Sequence, residues 1–533
     1  MDCIATRISY RQTGYFTKTA LDYVDQAVSL KPFFTLPPSL QGIQKAMEAR
    51  KKSSMDRKTL VNCLKKQYQS VHASKAVEKN IESILSENTF TITTAHQPNI
   101  FTGPLYFIYK ILHAIKLSDH LKTILPDHYF VPVFYMGSED ADFDELGHCY
   151  LDGQKLEWNT SQTGAVGRMK IDKEFIKLIT QIEGQLSVLP FGNEIVSLVK
   201  KSYKENRLVQ DATFEFVHSL FSEYGLIVLI ADDADLKNQM IPVFEDDLFH
   251  QTASGIVEKT ADRLLTAGYK TQVNPREINL FYLKDSIRER IVTQNKKFKI
   301  QNSGISFSEE EINNELSAHP DRFSPNVILR GLYQETILPN LVYIGGGGEL
   351  SYWLQLKDMF EHYNVPYPVL MLRNSFLITE KKWQEKIQKL GFGVEDFFSG
   401  EEVLLNKIVE NESKHNLKLN GTLSKTEQLY ESIKKQAASV DSTLSRHVDV
   451  LKLQSLHRLH ELEKKMLRAE KRKFTDQQRQ IHSIKEKLFP FGGLQERYDN
   501  FMSYYAKWGK DFLKKLHESS LEFEQEFVII SEK

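Results

Sequence analysis

The sequence contains few cysteines, and they lie far apart. Only three of its 533 residues are cysteine, namely Cys3, Cys63 and Cys149. An odd number without close spacing excludes a disulfide framework and offers no zinc site, since both need cysteines in pairs. The sequence therefore indicates a reducing compartment, and we expect a cytoplasmic protein.

Long hydrophobic runs are also lacking. Residues 1–10, MDCIATRISY, have no charged start followed by the apolar run of a signal peptide. The apolar run at residues 225–231 has the length of a strand, whereas a helix that spans a bilayer needs about 20 apolar residues. We therefore expect a soluble protein without a membrane partner.

Neither sign of charge is in excess. The chain carries 69 Lys and Arg against 70 Asp and Glu, a formal net charge of −1 at pH 7. This balance excludes a general electrostatic attraction to nucleic acid, so a charged ligand must be bound by a local site. With 41% hydrophobic and 26% charged residues, the composition is that of a globular protein, long enough for two or three packed units.

Strand and helix patterns alternate in the first 380 residues. Residues 1–88 are predicted to form a helical N-terminal layer. Residues 89–380 contain strand patterns at 90–94, 129–136 and 225–231 and a glycine loop at 345–348, with an insertion at about 149–215. The alternation predicts an α/β fold with a doubly wound parallel sheet, in which ligands bind at the carboxyl ends of the strands.

A long helical region follows a predicted linker at residues 381–421. Residues 422–487 lack proline and glycine, and about 66 helical residues would extend about 100 Å. Apolar or small residues recur at helical spacing at Ile433, Ala437, Val440, Leu444, Val448, Leu451, Ser455, Leu459, Leu462 and Met466. With a stop at LFPFGG and a return helix at 494–521, residues 422–533 are predicted to form a coiled-coil hairpin.

The hairpin is interpreted as a dimerisation or bracing element. Its residues 452–487 include eleven Lys or Arg against five Asp or Glu. This stretch could alternatively bind an anion, although a solvated basic flank explains it as well.

Three polar blocks of the core could carry chemistry, and the first spans residues 94–106. Its polar side chains are those of His96, Gln97, Asn99 and Thr102. Gly103 would let a ligand approach the backbone, and amides of the helical turn at Pro104 could receive a phosphate or carboxylate. Alternatively, these groups only cap the helix and brace the turn.

The second block, residues 138–148, is crowded with carboxylates. It contains Ser138, Glu139, Asp140, Asp142, Asp144, Glu145 and His148. The spacing fits neither a calcium loop, which needs glycine at Glu145, nor a di-iron site, which needs a second Glu-x-x-His pair, so no metal is expected. Crowded carboxylates could instead bind an amine or accept its proton, because repulsion raises one pKa. Acids that cap the start of a helix are the alternative.

The third block comprises residues 323–335 and a glycine-rich stretch at 345–353. Arg330 and Gln334 share a helical face, and Arg330 could grip a carboxylate with two hydrogen bonds or form a structural salt bridge. The stretch lacks the Gly-Lys-Ser/Thr of a phosphate loop, and Leu350 breaks the Gly-x-Gly-x-x-Gly pattern. Its glycines could still expose amides to an anion, and Glu349 could meet a hydroxyl or amine.

Together, the segments TAHQPNIFTGPLYFIYK, VFYMGSEDADFDELGH, FSPNVILRGLYQETILPN and YIGGGGELSYW, followed by FPFGGLQER, resemble the bacillithiol biosynthesis cysteine-adding enzyme family over essentially the whole chain. The resemblance implies a nucleotidyltransferase-like Rossmann core with a connecting-peptide insertion, a C-terminal coiled coil and a homodimer. It also implies a ligase reaction, in which the carboxyl group of L-cysteine forms an amide with the glucosamine amine of glucosamine malate in the last step of bacillithiol biosynthesis.

On this resemblance the three blocks become the predicted site. The predicted catalytic residues are His96, Glu139, Asp140 and Asp142. Substrate binding is predicted for Gln97, Asn99, Thr102, Gly103, Ser138, Asn326, Arg330, Gln334, Glu349, Tyr352 and Trp353, and nucleotide binding for Gly345, Gly346, Gly347 and Gly348. Ala95, His96, Ala141 and Gly347 depart from what we expect of the family, and Ala141 weakens any mechanism that needs a histidine there.

Activation of cysteine is the remaining expectation. Amide formation from free acids is uphill, so the nucleotide-type fold suggests ATP and an adenylate, by analogy with class I aminoacyl-tRNA synthetases. Their Lys-Met-Ser-Lys-Ser signature has no counterpart here. A hypothesis from a different class is a dimeric scaffold that binds a metabolite or nucleotide without ligase activity.

Overall fold

Amphipathic helices form most of the N-terminal layer. The computed structural model describes residues 2–533. Its first elements are β1 (Cys3–Ser9), α1 (Tyr10–Thr13), α2 (Lys18–Val24), α3 (Leu40–Lys52), α4 (Arg57–Gln67) and α5 (Lys75–Ser83). In α5, Val77 and Ile81 are buried on one face, which packs inward. The prediction of a helical layer is wrong for Cys3–Ser9, which form the strand β1. The sequence does not reveal this strand, because most of its side chains are exposed and apolar and polar residues do not alternate in it.

The first core strands and the insertion follow in the chain. The elements are β2 (Thr89–His96), α6 (Tyr106–Ile124), β3 (Tyr129–Met136), α7 (Phe143–Leu146), β4 (His148–Leu151), β5 (Gln154–Glu157), α8 (Lys173–Leu186), α9 (Gly192–Ser202), α10 (Val209–Phe221) and β6 (Ile227–Ile230). The insertion predicted at about 149–215 therefore consists of the antiparallel β4–β5 hairpin and three helices. It connects two strands of the central sheet, β3 and β6.

A second sheet lies further along the chain. The elements are α11 (Ala234–Asn238), α12 (Ile241–Phe249), α13 (Thr252–Thr266), β7 (Leu280–Lys284), β8 (Ile287–Gln294), β9 (Lys297–Ile300), β10 (Ser306–Phe307), α14 (Glu309–Ala318), β11 (Phe323–Pro325), α15 (Val327–Ile337), β12 (Asn340–Gly345), α16 (Gly347–His362) and β13 (Val369–Leu372). Strands β10, β9, β8, β7 and β11 pair antiparallel in that order. The sequence prediction has no counterpart to this sheet, because β8 (IRERIVTQ) is charged and largely open to solvent.

The central sheet has five parallel strands in the order β13, β12, β2, β3 and β6. From β2 the chain proceeds to β3 and then β6, and it later returns to place β12 on the other side of β2. The predicted doubly wound parallel sheet is confirmed. Because the strand order reverses between β2 and β12, a crevice is expected at the carboxyl ends of these two strands.

A buried ion pair joins the N-terminal layer to the central sheet. Arg50 on α3 contacts Glu335 Oε2 at 2.9 Å, and the two side chains are only 2% and 0% exposed. The same guanidinium donates to the carbonyl oxygens of Glu335 and Asn340, at 2.8 and 3.0 Å. Asn340 and Gln334 donate their amide protons to Glu335 Oε1. Every polar group of this network therefore has a partner within the apolar interior.

The rest of the chain divides between two compact units. The elements are β14 (Ser375–Thr379), α17 (Lys381–Lys389), α18 (Glu401–Glu412), α19 (Asn420–Val440), α20 (Leu444–Lys471), α21 (Thr475–Leu488), α22 (Met502–Trp508), α23 (Lys510–Ser519) and β15 (Glu526–Glu532). The first unit combines the chain up to Leu377 with Gly493–Ile530, and the second comprises Ile378–Gly492 with Ser531–Lys533. The region predicted as a linker at 381–421 includes α17 and α18 of the second unit.

The helical hairpin of the second unit is formed by α19 and α20. The two helices pack against each other, and ion pairs join Lys434 to Asp449 and Lys452 to Glu431. The single helix predicted for 422–487 is therefore wrong. The helix ends at Val440 because the Asp441 carboxylate accepts hydrogen bonds from the Thr443 amide and hydroxyl, at 2.8 and 2.7 Å, in place of a further helical turn.

The predicted return helix at 494–521 is also wrong. In its place are a 3₁₀ turn, α22 and α23, and these belong to the first unit. Gly509 separates α22 from α23 with a φ of 61°, a backbone conformation that interrupts a helix. No helix among residues 2–533 combines the length and the hydropathy that crossing a membrane requires.

Candidate active site

A cavity of about 470 Å³ lies where the strand order of the central sheet reverses. It is lined by residues at or just beyond the ends of β2, β3 and β12 and by side chains from α6 and α15. The charged residues of its lining are Lys110, Glu145, Arg330, Glu349, Arg373 and Arg497, and the tyrosines are Tyr106, Tyr135, Tyr343 and Tyr352. Both charge signs are present, with cations in the majority.

His96 ends β2 and lines this cavity together with Gln97. Its imidazole packs against Tyr106 and Phe107, with ring centroids 5.3 and 5.5 Å away. Burial, together with the nearby Lys110 and Arg373, lowers the pKa of His96 well below its usual value. The ring is therefore neutral, and its buried Nε2 has no hydrogen-bond partner among the described residues.

The remainder of the first block points elsewhere. Asn99, Thr102 and Gly103 are not among the residues that line the cavity. The Asn99 amide approaches the carbonyl oxygen of Glu145 at 3.4 Å, and Asn500 donates to the carbonyl oxygen of Gly103 at 2.6 Å. These residues hold the loop that connects β2 to α6, which corresponds to the bracing alternative for this block.

Asp140 is the acid of the second block with the most cationic surroundings. Its Oδ2 lies 3.4 Å from the Arg330 guanidinium and accepts a hydrogen bond from Gln97 at 3.2 Å, and its Oδ1 lies 4.0 Å from Arg288. Burial raises the pKa of Asp140, but the two guanidinium groups and the hydrogen bonds outweigh it and lower the pKa to about 2. Asp140 is therefore a permanent anion that positions Arg330, whereas a general base needs a higher pKa.

Glu139 belongs to a separate buried charge cluster. It pairs with Lys237, whose side chain is fully buried and also contacts Asp232 at 3.2 Å. Arg168 grips Asp232 with two hydrogen bonds of 2.6 and 2.7 Å. Burial raises the pKa of Glu139 against the lowering effect of Lys237. Glu139 does not line the cavity, and its ion pair fixes the loop that carries Asp140.

The other members of the second block differ in their surroundings. Asp142 is exposed and caps α7, because its carboxylate accepts a hydrogen bond from the Glu145 amide. Ser138 is buried, and its carbonyl oxygen accepts the Gly167 amide at 3.0 Å. Glu145 lines the cavity, and burial, together with Asp142 and Asp140, raises its pKa. The sequence predicts that repulsion between neighbouring carboxylates raises one pKa in this block, and Glu145 is the residue whose pKa Asp142 and Asp140 raise in this way.

Only Arg330 of the predicted residues on α15 lines the cavity. Asn326 caps the helix by accepting the Ile328 amide at 2.8 Å, and its own amide donates to Asn279. Gln334 is 2% exposed and belongs to the Glu335 network. Nearby, Trp353 is 1% exposed and packs on Tyr343, so neither Gln334 nor Trp353 meets a ligand in this cavity.

The glycine loop separates the end of β12 from α16. Gly346, Gly347 and Gly348 line the cavity, whereas Gly345 is the last residue of β12. Glu349 accepts the Gly346 amide at 2.8 Å, the Tyr343 hydroxyl at 2.6 Å and the Lys110 ammonium at 2.5 Å. The carboxylate of Glu349 is thus occupied by partners of the protein, and Tyr352 lies beside it in the lining.

Four basic residues near the cavity are missing from the sequence prediction. Lys110 interrupts the apolar face of α6 and Arg373 directly follows β13, so both carry a local signal. Arg373 grips Glu496 at 2.7 and 3.0 Å. Arg288 and Arg497 come from β8 and from a turn after the second unit, and no local pattern indicates them. Residues 2–533 contain no cluster of His, Cys, Asp or Glu suited to a metal ion.

Sequence models of one family cover nearly the whole chain. The "Bacillithiol biosynthesis BshC, N-terminal Rossmann-like domain" matches residues 2–374, and the "Bacillithiol biosynthesis BshC, C-terminal coiled-coil domain" matches residues 376–532. The chain belongs to the bacillithiol biosynthesis BshC family. The predicted Rossmann-like core, the predicted coiled coil and the family resemblance are thereby confirmed.

Relatives from three bacteria match along almost their whole length. The chain is 40% identical to a protein of Flavobacterium johnsoniae and 39% identical to one of Flavobacterium psychrophilum, with 99% of each chain covered. It is 38% identical to a protein of Cytophaga hutchinsonii, with 96% of each chain covered. All three carry the name "Putative cysteine ligase BshC".

Proposed function

We propose that this protein is a cysteine ligase that acts in the last step of bacillithiol biosynthesis. It joins the carboxyl group of L-cysteine to the glucosamine amine of glucosamine malate. Family membership and the names of the relatives support this proposal. The observation that carries it is the cavity, which combines guanidinium groups with a carboxylate whose pKa is raised.

The guanidinium groups suit the acidic part of the proposed substrate. Arg330 lines the cavity, and its guanidinium is held by Asp140 at 3.4 Å. A planar guanidinium binds a carboxylate with two parallel hydrogen bonds, and malate supplies carboxylates. Binding of the malyl group near Arg330 would leave the sugar amine free to approach the acyl group.

Glu145 is the residue best suited to accept a proton from the attacking amine. An ammonium group cannot attack a carbonyl carbon, so a base must remove one proton first. Desolvation at the cavity, Asp142 and Asp140 raise the pKa of Glu145 above that of a free glutamate, and Glu145 lines the cavity. Asp140, with a pKa of about 2, keeps Arg330 in place instead. The proposed general base, Glu145, and the acid that positions Arg330, Asp140, are thus two different residues of one polar block.

Activation of cysteine would use ATP. We infer that the cysteine carboxylate attacks the α-phosphorus and releases pyrophosphate, and that the sugar amine then displaces AMP from the acyl group. The glycines before α16 support this inference, because amides at a helix N-terminus and at the strand-order reversal of a doubly wound sheet suit phosphate oxygens. The standard nucleotide fingerprints are lacking, so a nucleotide would be bound in a different way.

The experiment is a reconstitution with purified protein. Glucosamine malate, L-cysteine and ATP are incubated with the protein, and the thiol product is labelled and identified by mass spectrometry. Omitting each component in turn shows which are required, and replacing ATP by other nucleotides tests the activation step. Absence of bacillithiol under every nucleotide condition contradicts direct catalysis and favours the scaffold hypothesis. Release of ADP in place of AMP would contradict the adenylate intermediate but not the ligase activity.

We also propose a homodimer formed through the helical hairpin. Seam residues of the hairpin remain open to solvent in the single chain, with Leu444 41% and Leu451 38% exposed. Replacing both by aspartate is expected to convert a dimer into a monomer, measured as molar mass by light scattering. The control replaces the exposed polar residue Ser439 by aspartate. A mass that is the same in all three proteins contradicts the proposed interface.

The pH dependence of the reaction should not arise from His96. Its pKa lies well below the usual value because of burial, so the ring stays neutral between pH 6 and 9. Replacing His96 by glutamine should lower kcat/KM by about tenfold or less, the effect of losing one hydrogen bond to a ligand. The shape of the pH profile should not change. A wild-type inflection near pH 6.5 that disappears in the variant would show that His96 titrates during catalysis.

A further inference from the structure

The turn after the second unit returns the chain to the cavity of the first. This turn, Gln495–Arg497, belongs to the first unit, although the coiled-coil family model covers it. Glu496 is fully buried, and its two carboxylate oxygens accept hydrogen bonds from Arg373 at 2.7 and 3.0 Å. Since Arg373 lines the cavity, the turn is fixed directly to the wall of the site.

A second contact fixes the chain on the other side of Arg497. The fully buried Asn500 donates its side-chain amide to the carbonyl oxygens of Phe101 and Gly103, at 2.9 and 2.6 Å. Phe101 has a φ of 51°, a left-handed conformation that costs free energy for a residue with a side chain. Residues 496 and 500 thus hold the backbone between them against both the cavity wall and the β2–α6 loop.

Arg497 lies between these two anchors and lines the cavity. Lys110 pairs with Glu349, Arg330 with Asp140 and Arg373 with Glu496. The side chain of Arg497, by contrast, has neither an ion-pair nor a hydrogen-bond partner among residues 2–533, and the residue is exposed. Among the described residues, the one cation of the lining whose side chain has no protein partner therefore lies on a backbone segment held on both sides by buried side-chain contacts.

We propose that Arg497 is a substrate-binding residue whose guanidinium binds an anionic oxygen group, a carboxylate or a phosphate, of a ligand in the cavity. The planar guanidinium offers donors in a geometry that matches either group, and its charge is not neutralised by the protein. Residues 495–500 are accordingly part of the active site. The inference rests on the proposed function only in taking the ligand to be a substrate of that reaction.

The test compares full-length Arg497→Gln and Arg497→Lys with the wild type. Lys514→Gln is the matched control, because Lys514 is an exposed cation of the same C-terminal segment that does not line the cavity. Isothermal titration calorimetry measures the affinities for L-malate, glucosamine malate, L-cysteine and ATP. For one class of anion we expect R497Q to bind at least tenfold more weakly, R497K to recover part of the loss, and K514Q to match the wild type.

The arms of this experiment identify the ligand group. A loss shared by L-malate and glucosamine malate assigns the malyl carboxylates, and a loss for ATP alone assigns a phosphate. Affinities of R497Q within twofold of the wild type for every ligand, or a wild type that binds none of them, overturn the inference. If R497Q loses binding while the wild type makes no bacillithiol, the inference stands and the proposed ligase activity fails. Melting temperatures of the variants show that the fold is retained.

Discussion

Replacing Asp140 by asparagine is expected to lower the rate of bacillithiol formation about 100-fold or more. The substitution removes the charge that holds Arg330 and Arg288, and displacement of a substrate-positioning group costs about this factor. Asp142→Asn, two residues away, should leave the rate within about twofold, because asparagine caps a helix as well as aspartate. The sequence places both acids in one catalytic group, whereas the structure separates a buried anchor from an exposed cap.

The measurement is kcat/KM for both variants, together with their thermal unfolding. Asp140→Asn should also lower the free energy of unfolding by about 1–3 kcal/mol, the cost of leaving poorly solvated hydrogen-bond donors without their acceptor. The lowered pKa of Asp140 means that its stabilisation is present above pH 4 and is lost as the pH falls towards 2. Equal rates in D140N and D142N would contradict the assigned roles.

The largest effect on stability is expected from Arg50→Met. This change leaves the carboxylate of Glu335 buried and unpaired and removes the donors of two backbone carbonyl oxygens. Removing one partner of a buried ion pair costs about 3–5 kcal/mol. The free energy of unfolding in urea, followed by tryptophan fluorescence, should fall by about this amount.

Lys52→Met provides the control for Arg50→Met. Both residues lie on α3 and lose the same charge in the substitution, but Lys52 is exposed. Its replacement should change the free energy of unfolding by less than about 0.5 kcal/mol, as surface substitutions usually do. If the two variants have the same stability, the ion pair with Glu335 does not join α3 to the sheet as described. The double variant Arg50→Met with Glu335→Leu should recover part of the loss, since no charge is then left unpaired.

The central sheet and its three polar loops could be predicted because their signals are local. The strands β3 and β6 are continuous apolar runs, and residues that line the crevice directly follow β2, β3 and β12. On this basis His96, Gln97, Arg330, Gly346 and Tyr352 are correctly brought to one cavity. The sequence predicts that Trp353 binds substrate, but Trp353 packs inside the first unit, because sequence does not show which face of a helix turns inward when both faces are apolar.

Other features depend either on chain segments that are distant in sequence or on a single local side chain. Arg288 contacts Asp140 from β8, a charged strand of the antiparallel sheet without regular apolar alternation. Arg497 lines the same cavity as Arg373, although it lies in a turn 124 positions later in the sequence. The end of α19 depends on one aspartate that competes for backbone amides within a helical pattern. Sequence periodicity reveals side chains that recur on one face of a helix or strand, whereas each of these three features depends on a single residue.

The division of the first unit into two chain segments affects how the protein is made. The main segment of the second unit, Ile378–Gly492, is synthesised between Arg373 and its partner Glu496. At about 5–20 residues per second, a ribosome needs roughly 6 to 25 seconds to add the intervening residues. During that interval Arg373 is without the carboxylate that it pairs with in the complete protein. The cavity can be completed only after Ile378–Gly492 has been translated, so a chain released before that point would contain the strands of the central sheet but lack Glu496, Arg497 and Asn500.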